Sequence, residues 1–348
     1  MSVKLGMNGF GRIGRYLLRL LADSEDIVIA AINARADNAQ LAHLFKYDSI
    51  YGIFQGSVGH DENGIIVNGR HIAVTRRKAG EWEWGALGID IAVETTGTLK
   101  DRDALAWHLE RGAKKVVVSA PCKTADVSVV MGVNTDAYDG AAHTIISAAS
   151  CTTNCLAPVV KVLQEAFGIR HGLMTTIHSY TMSQRILDGS HKDLRRGRAG
   201  GVSMIPTSTG AAKTIGIILP ELAGRLDGMS VRVPTPDISL VDLTCEMERP
   251  CDRESVNAAL KAASEGALRE ALGYCEEPLV SVDFKGDTHG GTVDALSTQV
   301  MDGSMVKVSI WYDNEAGFTN QLARLLRRVA QDCRNESGFT VKGEQRDA

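Results

Sequence analysis

Near its amino terminus the chain carries the run Val3-Lys4-Leu5-Gly6-Met7-Asn8-Gly9-Phe10-Gly11-Arg12-Ile13-Gly14, followed by Arg15-Tyr16-Leu17-Leu18-Arg19-Leu20-Leu21. Residues 3–7 predict a buried strand, and residues 15–21 predict a helix. Between them Gly9, Gly11 and Gly14 form a G-x-G-x-x-G motif. Glycine there permits a tight turn and lets a pyrophosphate approach the helix N-terminus. A second predicted strand over residues 27–32 completes a βαβ unit, so we predict a dinucleotide-binding domain.

The end of that second strand bears on the choice between NAD and NADP. An NAD site usually places an acid there, which hydrogen-bonds the adenosine ribose 2′-hydroxyl. This chain has Ala34 and Arg35 instead, so the carboxylate is missing and a guanidinium is available to a 2′-phosphate. The pattern favours NADP. The alternative is that Arg35 is a solvated loop charge and Asp37 binds the ribose from a shifted loop.

Composition limits the classes of protein to consider. The 348 residues are 44% hydrophobic and 23% charged, which is ordinary for a globular protein with two domains. A net charge of -4 provides no general positive field for nucleic acid or anionic membranes. The sequence has no apolar signal region before Val3 and no long apolar run, so we expect a cytoplasmic protein. Seven dispersed cysteines do not suggest a disulfide framework.

Two polar residues follow predicted strands at the edge where a doubly wound sheet binds ligands. Thr96 lies after the strand at residues 89–93, and Ser119 lies after the strand at residues 115–118. Both are candidates to line the nicotinamide side of the cofactor. The alternative is that both are ordinary polar residues of strand-to-loop turns.

The run Ser150-Cys151-Thr152-Thr153-Asn154-Cys155 lies between a predicted strand and a predicted helix. Cys151 is therefore expected near a helix N-terminus, where free backbone N–H groups and the helix dipole favour its thiolate. This position is typical of a cysteine nucleophile. The alternatives are a buried structural cysteine and a metal pair with Cys155. Because no further Cys/His pair has finger-like spacing, we predict no metal site.

A predicted strand over residues 172–181 contains His178. A histidine near a cysteine thiol can hold the thiolate as an ion pair and act as general base and acid. Strand histidines are often structural. Because this chain also has a cysteine at a helix start, we interpret His178 as the partner of Cys151.

The segment after His178 is rich in groups that bind phosphate. It holds Arg195, Arg196 and Arg198, and residues 205–213 then place hydroxyls and glycine at a predicted helix start. We interpret these features as sites for small phosphates. The alternatives are nucleic-acid binding by the arginines and plain helix capping by the hydroxyls.

Several of these segments together resemble phosphorylating glyceraldehyde-3-phosphate dehydrogenase. The resemblance is carried by residues 8–15, 149–155, 178–181, 206–213, 232–236 and 311–315. It spans essentially the whole chain in the same order, which makes it specific. It implies that glyceraldehyde 3-phosphate and inorganic phosphate are converted to 1,3-bisphosphoglycerate through a thiohemiacetal and a thioester on Cys151, with reduction of NAD(P).

The resemblance also implies roles for individual residues. Cys151 is the nucleophile and His178 is its base. The residues implied to hold the substrate phosphate are Thr181 and Arg232. Those implied to hold inorganic phosphate or line its path are Ser150, Thr152, Arg196, Thr209 and Gly210. Those implied to contact the cofactor are Arg12, Ile13, Ser119 and, at the nicotinamide carboxamide, Asn314.

Departures from the family pattern favour NADP. NAD-using members usually have aspartate at the position of Ala34, and often Leu-Pro at the position of Gly189 and Ser190. NADP-using photosynthetic members have small residues at the latter position. We therefore predict that NADP is preferred and that NAD also binds. The alternative activity is that of erythrose-4-phosphate dehydrogenase, a close relative lacking the Thr-Gly-Ala-Ala-Lys run at residues 209–213. Phe318 stands where tyrosine is common.

The predicted fold class is α/β. A Rossmann-type dinucleotide-binding domain is expected over residues 1–150, and an α+β catalytic domain with a mostly antiparallel sheet over residues 151–316. A helix over residues 317–335 is expected to pack back on the first domain, as in the family. The resemblance also implies a homotetramer in which the long loop over residues 183–203, which contains Gly189 and Ser190, lies near a subunit interface. Neither a membrane nor an obligate nucleic-acid partner is expected.

Overall fold

The computed structural model describes residues 2–336, which contain two large sheets. The elements up to residue 147 are β1 (Val3–Asn8), α1 (Arg12–Leu21), β2 (Ile27–Asn33), α2 (Asn38–Lys46), β3 (Tyr47–Asp48), β4 (Gly52–Ile53), β5 (Val58–His60), β6 (Gly64–Val67), β7 (Arg70–Thr75), β8 (Ile91–Glu94), α3 (Arg102–Glu110), β9 (Lys115–Val118), β10 (Val127–Ser128) and β11 (Ile145–Ser147). A short 3-10 helix, Thr135–Ala137, precedes β11.

Nine of these strands form the first sheet, in the order β10-β11-β9-β8-β1-β2-β7-β6-β5. Pairing is parallel from β10 to β7 and antiparallel from β7 to β5. The chain leaves β1 toward β2 on one side and later adds β8 on the other side. The direction of the connections therefore changes between β1 and β8. In open α/β sheets the ligand crevice lies at the carboxyl ends of the strands beside such a change.

The second sheet lies in the carboxyl-terminal half. Its region contains α4 (Cys151–Phe167), β12 (Ile169–Ser179), β13 (Ile205–Ser208), α5 (Ala211–Ile218), β14 (Leu226–Val233), β15 (Ser239–Met247), α6 (Arg253–Glu265), β16 (Leu272–Cys275), β17 (Gly291–Met301), β18 (Met305–Tyr312) and α7 (Ala316–Glu336), with 3-10 helices at Pro220–Leu222 and Ser281–Phe284. The strand order is β13-β14-β12-β15-β18-β17-β16, and four of the six neighbouring pairs are antiparallel. The predicted fold class is confirmed.

Among residues 2–336, helices cover one face of the second sheet and no helix covers the other. Val159 of α4, Ile215 of α5 and Leu260 of α6 share a buried core with Val241 of β15. Burial alternates along β15, which is typical of an antiparallel strand with one face on the core. In the part of the chain that the structure describes, the second sheet therefore has a helix-covered face and an open face.

Helix α7 packs against the first sheet. Its residues Phe318, Leu322 and Val329 are buried in the same core as Leu5 of β1 and Leu17 of α1. Phe318 is only 4% exposed there, so the phenylalanine ring suits a site where a tyrosine hydroxyl would require a hydrogen-bond partner. Within residues 2–336, none of the helices combines the length and apolarity that a bilayer crossing requires.

Candidate active site

Cys151 is the first residue of α4, as the sequence predicted, and follows a sharp turn out of β11. Ser150 caps the helix, because its Oγ accepts a hydrogen bond from the backbone N–H of Thr153 at 3.0 Å. Ala149 has a φ of 57°, a left-handed conformation that costs about 1 kcal/mol or more for a residue with a side chain. The helix start is thus held by a cap and a strained turn, which together fix the position of Cys151.

His178 on β12 lies opposite Cys151 on α4. His178 lies near the end of β12, and its Nε2 is 3.5 Å from the Cys151 sulfur. Strand β14 pairs with β12 and places Arg232 directly opposite His178. Arg232 Nη1 lies 2.7 Å from His178 Nδ1, which is also 2.7 Å from the carbonyl oxygen of Ser179. Thiol, imidazole and guanidinium therefore form a row.

Burial controls the protonation of this row. Burial, followed by the charge of Arg232, lowers the pKa of His178 to about 3, so the imidazole is neutral near pH 7. A neutral ring can accept the thiol proton. Burial also raises the pKa of the Cys151 thiol, although Arg232 and the backbone N–H groups at the helix start lower it. The N–H groups of the helix start therefore favour the thiolate, as the sequence predicted, but desolvation outweighs them and the net pKa of the Cys151 thiol is raised.

Tyr312 completes the surroundings of His178 and was missed from the sequence. Its hydroxyl lies 3.0 Å from Thr152 Oγ1 and 2.8 Å from Thr176 Oγ1. Its ring meets the His178 ring edge-on, with 5.9 Å between centroids. Thr152, a predicted phosphate residue, is therefore buried with its hydroxyl against Tyr312. The signal for Tyr312 was its place beside Asn314 in the 311–315 segment.

The other residues predicted to bind phosphate follow β12 in the chain. Arg196 donates from Nε to Thr207 Oγ1 at 2.8 Å, and its charge contributes to the lowered pKa of His178. Thr209 accepts a hydrogen bond from the backbone of the next helix, α5, which begins after Gly210. The Thr181 hydroxyl lies 2.9 Å from the Ser183 hydroxyl. Arg196 and Arg232 thus bring two guanidinium groups to the His178 side of the site.

The glycine motif has the predicted shape. Gly9 has a φ of 101°, and a Cβ there would lie 2.9 Å from the backbone N of Thr96. A Cβ on Gly14 would lie 2.8 Å from the carbonyl oxygen of Gly9. Gly11 caps α1 and has nothing within 4 Å of a built Cβ, so its surroundings are open to a ligand. Two glycines therefore allow close packing of the turn, and the third leaves room at the helix N-terminus.

Arg12 joins the glycine loop to the carboxyl-terminal half. Its guanidinium pairs with Asp48 at 2.5 Å and with Glu315 at 2.6 Å. Ile13 is partly buried and packs against the first core. Within the described chain the Arg12 side chain is engaged by both carboxylates, which places it at the boundary between the two halves.

The predicted nicotinamide-side residues lie at the carboxyl ends of neighbouring strands. The Ser119 Oγ donates to the carbonyl oxygen of Glu94 at 3.0 Å. Thr96 is exposed at the end of β8. Asn314 accepts a hydrogen bond from Ser239 Oγ through its Oδ1 at 2.7 Å, which orients the amide. No residue in the described range 2–336 hydrogen-bonds its NH₂ group, which can donate to a ligand carbonyl.

The residues predicted to select NADP lie in two separate places in the structure. Ala34 and Arg35 follow β2, and the backbone N–H and carbonyl of Arg77 both hydrogen-bond the side chain of Asn33 beside them. Gly189 and Ser190 line a different cleft, which also contains Arg12 and Glu315. Across residues 2–336 no hydrogen bond or ion pair joins these two sets. Arg77 was not predicted; its signal was its position two residues after β7, the strand beside β2.

Comparisons with known proteins agree over nearly the whole chain. Residues 3–102 match the profile described as "Glyceraldehyde 3-phosphate dehydrogenase, NAD binding domain", and residues 150–314 match "Glyceraldehyde 3-phosphate dehydrogenase, C-terminal domain". Glyceraldehyde-3-phosphate dehydrogenase of Geobacillus stearothermophilus is 55% identical over 331 residues, which cover 95% of this chain and 99% of that protein. Glyceraldehyde-3-phosphate dehydrogenase 1 of Bacillus subtilis (strain 168) is 52% identical over 332 residues, with coverage of 95% and 99%. The protein of that name from Kluyveromyces marxianus is 47% identical over 331 residues, with coverage of 94% and 100%.

Proposed function

The chain belongs to the glyceraldehyde-3-phosphate dehydrogenase family and is an NAD(P)-dependent oxidoreductase, and we propose on that basis that Cys151 and His178 perform its chemistry. The reaction is the oxidation of glyceraldehyde 3-phosphate with inorganic phosphate to 1,3-bisphosphoglycerate. The observation that carries the proposal is the 3.5 Å approach of His178 Nε2 to the Cys151 sulfur. The names of the relatives do not favour erythrose-4-phosphate dehydrogenase.

The chain's residues fit a dinucleotide. The open space at Gly11 lies at the N-terminus of α1, where unpaired N–H groups and the helix dipole favour a pyrophosphate. The NH₂ group of Asn314 is suited to a carboxamide oxygen. A bound nicotinamide ring supplies the hydride acceptor for the oxidation.

Cys151 and His178 act in both halves of the reaction. The neutral His178 Nε2 takes the thiol proton while the Cys151 sulfur bonds to the aldehyde carbon and gives a thiohemiacetal oxygen. The free backbone N–H at the start of α4 stabilises negative charge on that oxygen. Loss of hydride then leaves a thioester on Cys151. Attack by an oxygen of inorganic phosphate breaks the carbon–sulfur bond and releases the acyl phosphate. The departing Cys151 sulfur takes back the proton held on His178 Nε2, and the proton of the attacking phosphate passes to solvent.

Two phosphate groups must be held during this cycle. We assign the substrate phosphate to Thr181 and Arg232. Inorganic phosphate and its path are assigned to Ser150, Thr152, Arg196, Thr209 and Gly210. The support for this assignment is that Arg196 and Arg232 both lie close enough to His178 to lower its pKa, so two positive groups flank the reacting atoms.

NADP is the preferred cofactor in this proposal, and NAD also binds. The support is the absence of a carboxylate at Ala34, together with the guanidinium groups of Arg35 and Arg77 on the loops after β2 and β7. An uncharged residue at position 34 removes the repulsion that an acid exerts on a 2′-phosphate. The arginine guanidinium can donate two parallel hydrogen bonds to one phosphate group, which the lysine ammonium cannot.

The long loop after β12 reaches a neighbouring subunit in this proposal. Its side chains Met182, Ile186 and Leu187 are 92%, 90% and 78% exposed. On the open face of the second sheet, Leu173 and Met229 are 69% and 41% exposed. Apolar surface of this extent is typical of subunit interfaces. We therefore propose a homotetramer in which Gly189 and Ser190 approach a cofactor bound by another copy, and in which the enzyme acts in the cytoplasm.

We propose the domain division predicted from the sequence, and the separation of the strands into two large sheets supports it. Residues 1–150 form the dinucleotide-binding domain, and residues 151–316 form the catalytic domain. The position of α7 in the core of the first sheet supports the assignment of that helix to the dinucleotide-binding domain.

The proposal is tested by steady-state oxidation of glyceraldehyde 3-phosphate with NAD and with NADP, each with and without inorganic phosphate. We expect turnover that requires phosphate and a kcat/KM that is higher with NADP. An advantage for NAD of more than about tenfold, roughly 1.4 kcal/mol, would show that Ala34 and Arg35 do not select the cofactor. Activity on erythrose 4-phosphate alone would contradict the substrate assignment.

A further inference from the structure

Glu94, the last residue of β8, is a fully buried carboxylate that the proposed mechanism does not use. Its side chain is 0% exposed. Oε2 accepts hydrogen bonds from Asn8 Nδ2 at 2.6 Å and from His108 Nε2 at 3.2 Å. Oε1 accepts from the backbone N–H of Thr96 at 2.8 Å and from the Thr96 hydroxyl. Four donors thus converge on one carboxylate at the ligand-binding edge of the first sheet.

The direction of the bond from His108 is fixed by Trp84. The indole Nε1 of Trp84 lies 2.9 Å from His108 Nδ1, and an indole nitrogen can only donate. His108 Nδ1 must therefore accept, so the ring proton is on Nε2, which points at Glu94. Both rings are fully buried, and water cannot replace either partner.

The direction of the bond from Asn8 is fixed at the other end of the network. Asn33 accepts through Oδ1 from the backbone N–H of Arg77 at 2.8 Å and from Thr75 Oγ1 at 2.9 Å. Its Nδ2 therefore donates to Asn8 Oδ1, at 2.9 Å. Asn8 is left to present its own NH₂ group to Glu94. The network is consequently directed from both ends toward the carboxylate.

The groups that this network ties together are the loops of the proposed cofactor site. Asn8 immediately precedes Gly9, Asn33 immediately precedes Ala34, and Thr96 follows β8. The backbone carbonyl of Glu94 also accepts from both the N–H and the Oγ of Ser119, each at 3.0 Å. Glu94 thus hydrogen-bonds directly to Asn8 at the end of β1, to Thr96 just after β8 and to Ser119 just after β9. It is connected to the end of β2 through Asn8 and Asn33.

We propose that Glu94, held by His108 and Trp84, is a positioning residue. It sets dinucleotide affinity by orienting the loops after β1, β2, β8 and β9 without touching the ligand. The inference rests on the proposed function, because it assumes that the loops bind a dinucleotide. Glu94 also supports both ends of the site, since Ala34 is assigned to the adenosine ribose and Ser119 to the nicotinamide side.

The first test is Glu94→Gln, which keeps the shape of the side chain. In one orientation its NH₂ group faces two donors, Asn8 and His108, and in the other it faces the backbone N–H of Thr96, while the Thr96 hydroxyl can rotate to accept. We expect dinucleotide dissociation constants, measured by calorimetry, to rise about tenfold or more. The kcat at saturating cofactor and the alkylation rate of Cys151 in the cofactor-free protein should stay within about twofold of the wild type. Glu110→Gln, an exposed acid on α3, is the matched control and should bind normally.

The second test uses the direction of the network. In Trp84→Phe the donor that opposes His108 Nδ1 is gone, so the ring proton can move to Nδ1 and Nε2 can accept from the amide of Gln at position 94. We therefore expect Trp84→Phe/Glu94→Gln to bind dinucleotide more tightly than Glu94→Gln alone. Additive losses in this double-mutant cycle would overturn the directed network.

The outcomes separate positioning from simple structural support. If Glu94→Gln lowers the melting temperature and the yield of active enzyme but keeps wild-type affinity in the folded fraction, the proposal is wrong. If Glu94→Gln does not fold, His108→Leu removes one donor to Glu94 and should weaken dinucleotide binding with Cys151 alkylation unchanged; wild-type affinity in that variant would overturn the proposal. Wild-type protein that binds neither NAD nor NADP would overturn the proposed function, and this inference with it.

Discussion

Arg232 Nη1 lies 2.7 Å from Nδ1 of His178, whose other ring nitrogen lies 3.5 Å from the Cys151 sulfur. The guanidinium can only donate, while the Ser179 carbonyl, also 2.7 Å from Nδ1, can only accept. One nitrogen cannot satisfy both. When Arg232 turns toward a substrate phosphate, we expect Nδ1–H to donate to Ser179, which leaves Nε2 free to take the thiol proton.

Arg232→Gln tests the influence of this charge on both reacting groups. Arg232 lowers the pKa of the Cys151 thiol and also lowers the pKa of His178. We expect the pKa of both groups to rise in the variant, and kcat/KM for glyceraldehyde 3-phosphate to fall by about 10²-fold or more. The measurement is the rate of iodoacetamide alkylation between about pH 5 and about pH 10. Arg198→Gln, an exposed arginine paired with Asp188, is the control, and an unchanged alkylation profile for Arg232→Gln would contradict this reading.

Cys151 and Cys155 should behave very differently when replaced. Cys155 is 0% exposed, and burial raises the pKa of its thiol well above the ordinary value. We expect Cys151→Ser to lose at least about 10⁴-fold in kcat, because the nucleophile is removed. Cys155→Ala should keep kcat within a few-fold and lose about 1–2 kcal/mol of stability through a small cavity. Thiol titration should find one fast cysteine in Cys155→Ala and none in Cys151→Ser.

Ala34→Asp should change the cofactor preference. A carboxylate at this position hydrogen-bonds the ribose of NAD and repels the 2′-phosphate of NADP. We expect the KM for NADP to rise by at least about tenfold and the KM for NAD to fall, with little change in kcat. Ala39→Asp, on the exposed side of α2, adds the same charge and serves as the control. If both variants change the two KM values equally, the effect is one of general charge and not of position 34.

Asp237 should make stability depend on pH. Its carboxylate is buried beside Tyr51, and burial, with the nearby Asp313 and Glu315, raises its pKa from 3.8 to about 7. Between these two pH values the unfolded chain has released the proton and the folded chain has kept it. Stability contributed by this group is therefore lost as pH rises from about 4 to about 7.

The variant Asp237→Asn removes this titration. We expect its melting temperature to change less than that of the wild type between about pH 5 and about pH 8. Asp103→Asn, an exposed acid on α3, is the control and should follow the wild type. A pH dependence in Asp237→Asn as steep as in the wild type would show that Asp237 does not titrate in this range.

Local patterns were enough to predict several elements of the site. The G-x-G-x-x-G spacing predicted the turn before α1, because the conformation of Gly9 and the packing of Gly14 depend on the absence of a side chain. The strand-to-helix change around residue 150 predicted that Cys151 begins a helix. Both features depend on residues that are adjacent in the chain.

Other parts could not be predicted, because they depend on strands that are far apart in the chain. The effect of burial on the pKa of Cys151 arises only when α4, β12 and β14 pack together. Tyr312 contacts Thr152 and Thr176 across sequence separations of 160 and 136 residues. No local periodicity reports such contacts.

By itself the sequence determined the two kinds of sheet, the glycine turn and the helix start at Cys151, since hydrophobic periodicity and backbone sterics act over short distances. Only the tertiary structure decided which groups surround the thiol, which proton each ring nitrogen carries, and that Glu94 receives four hydrogen bonds. These properties depend on burial and on the direction of donors from distant strands. Desolvation and hydrogen-bond complementarity are properties of the packed protein and not of any segment alone.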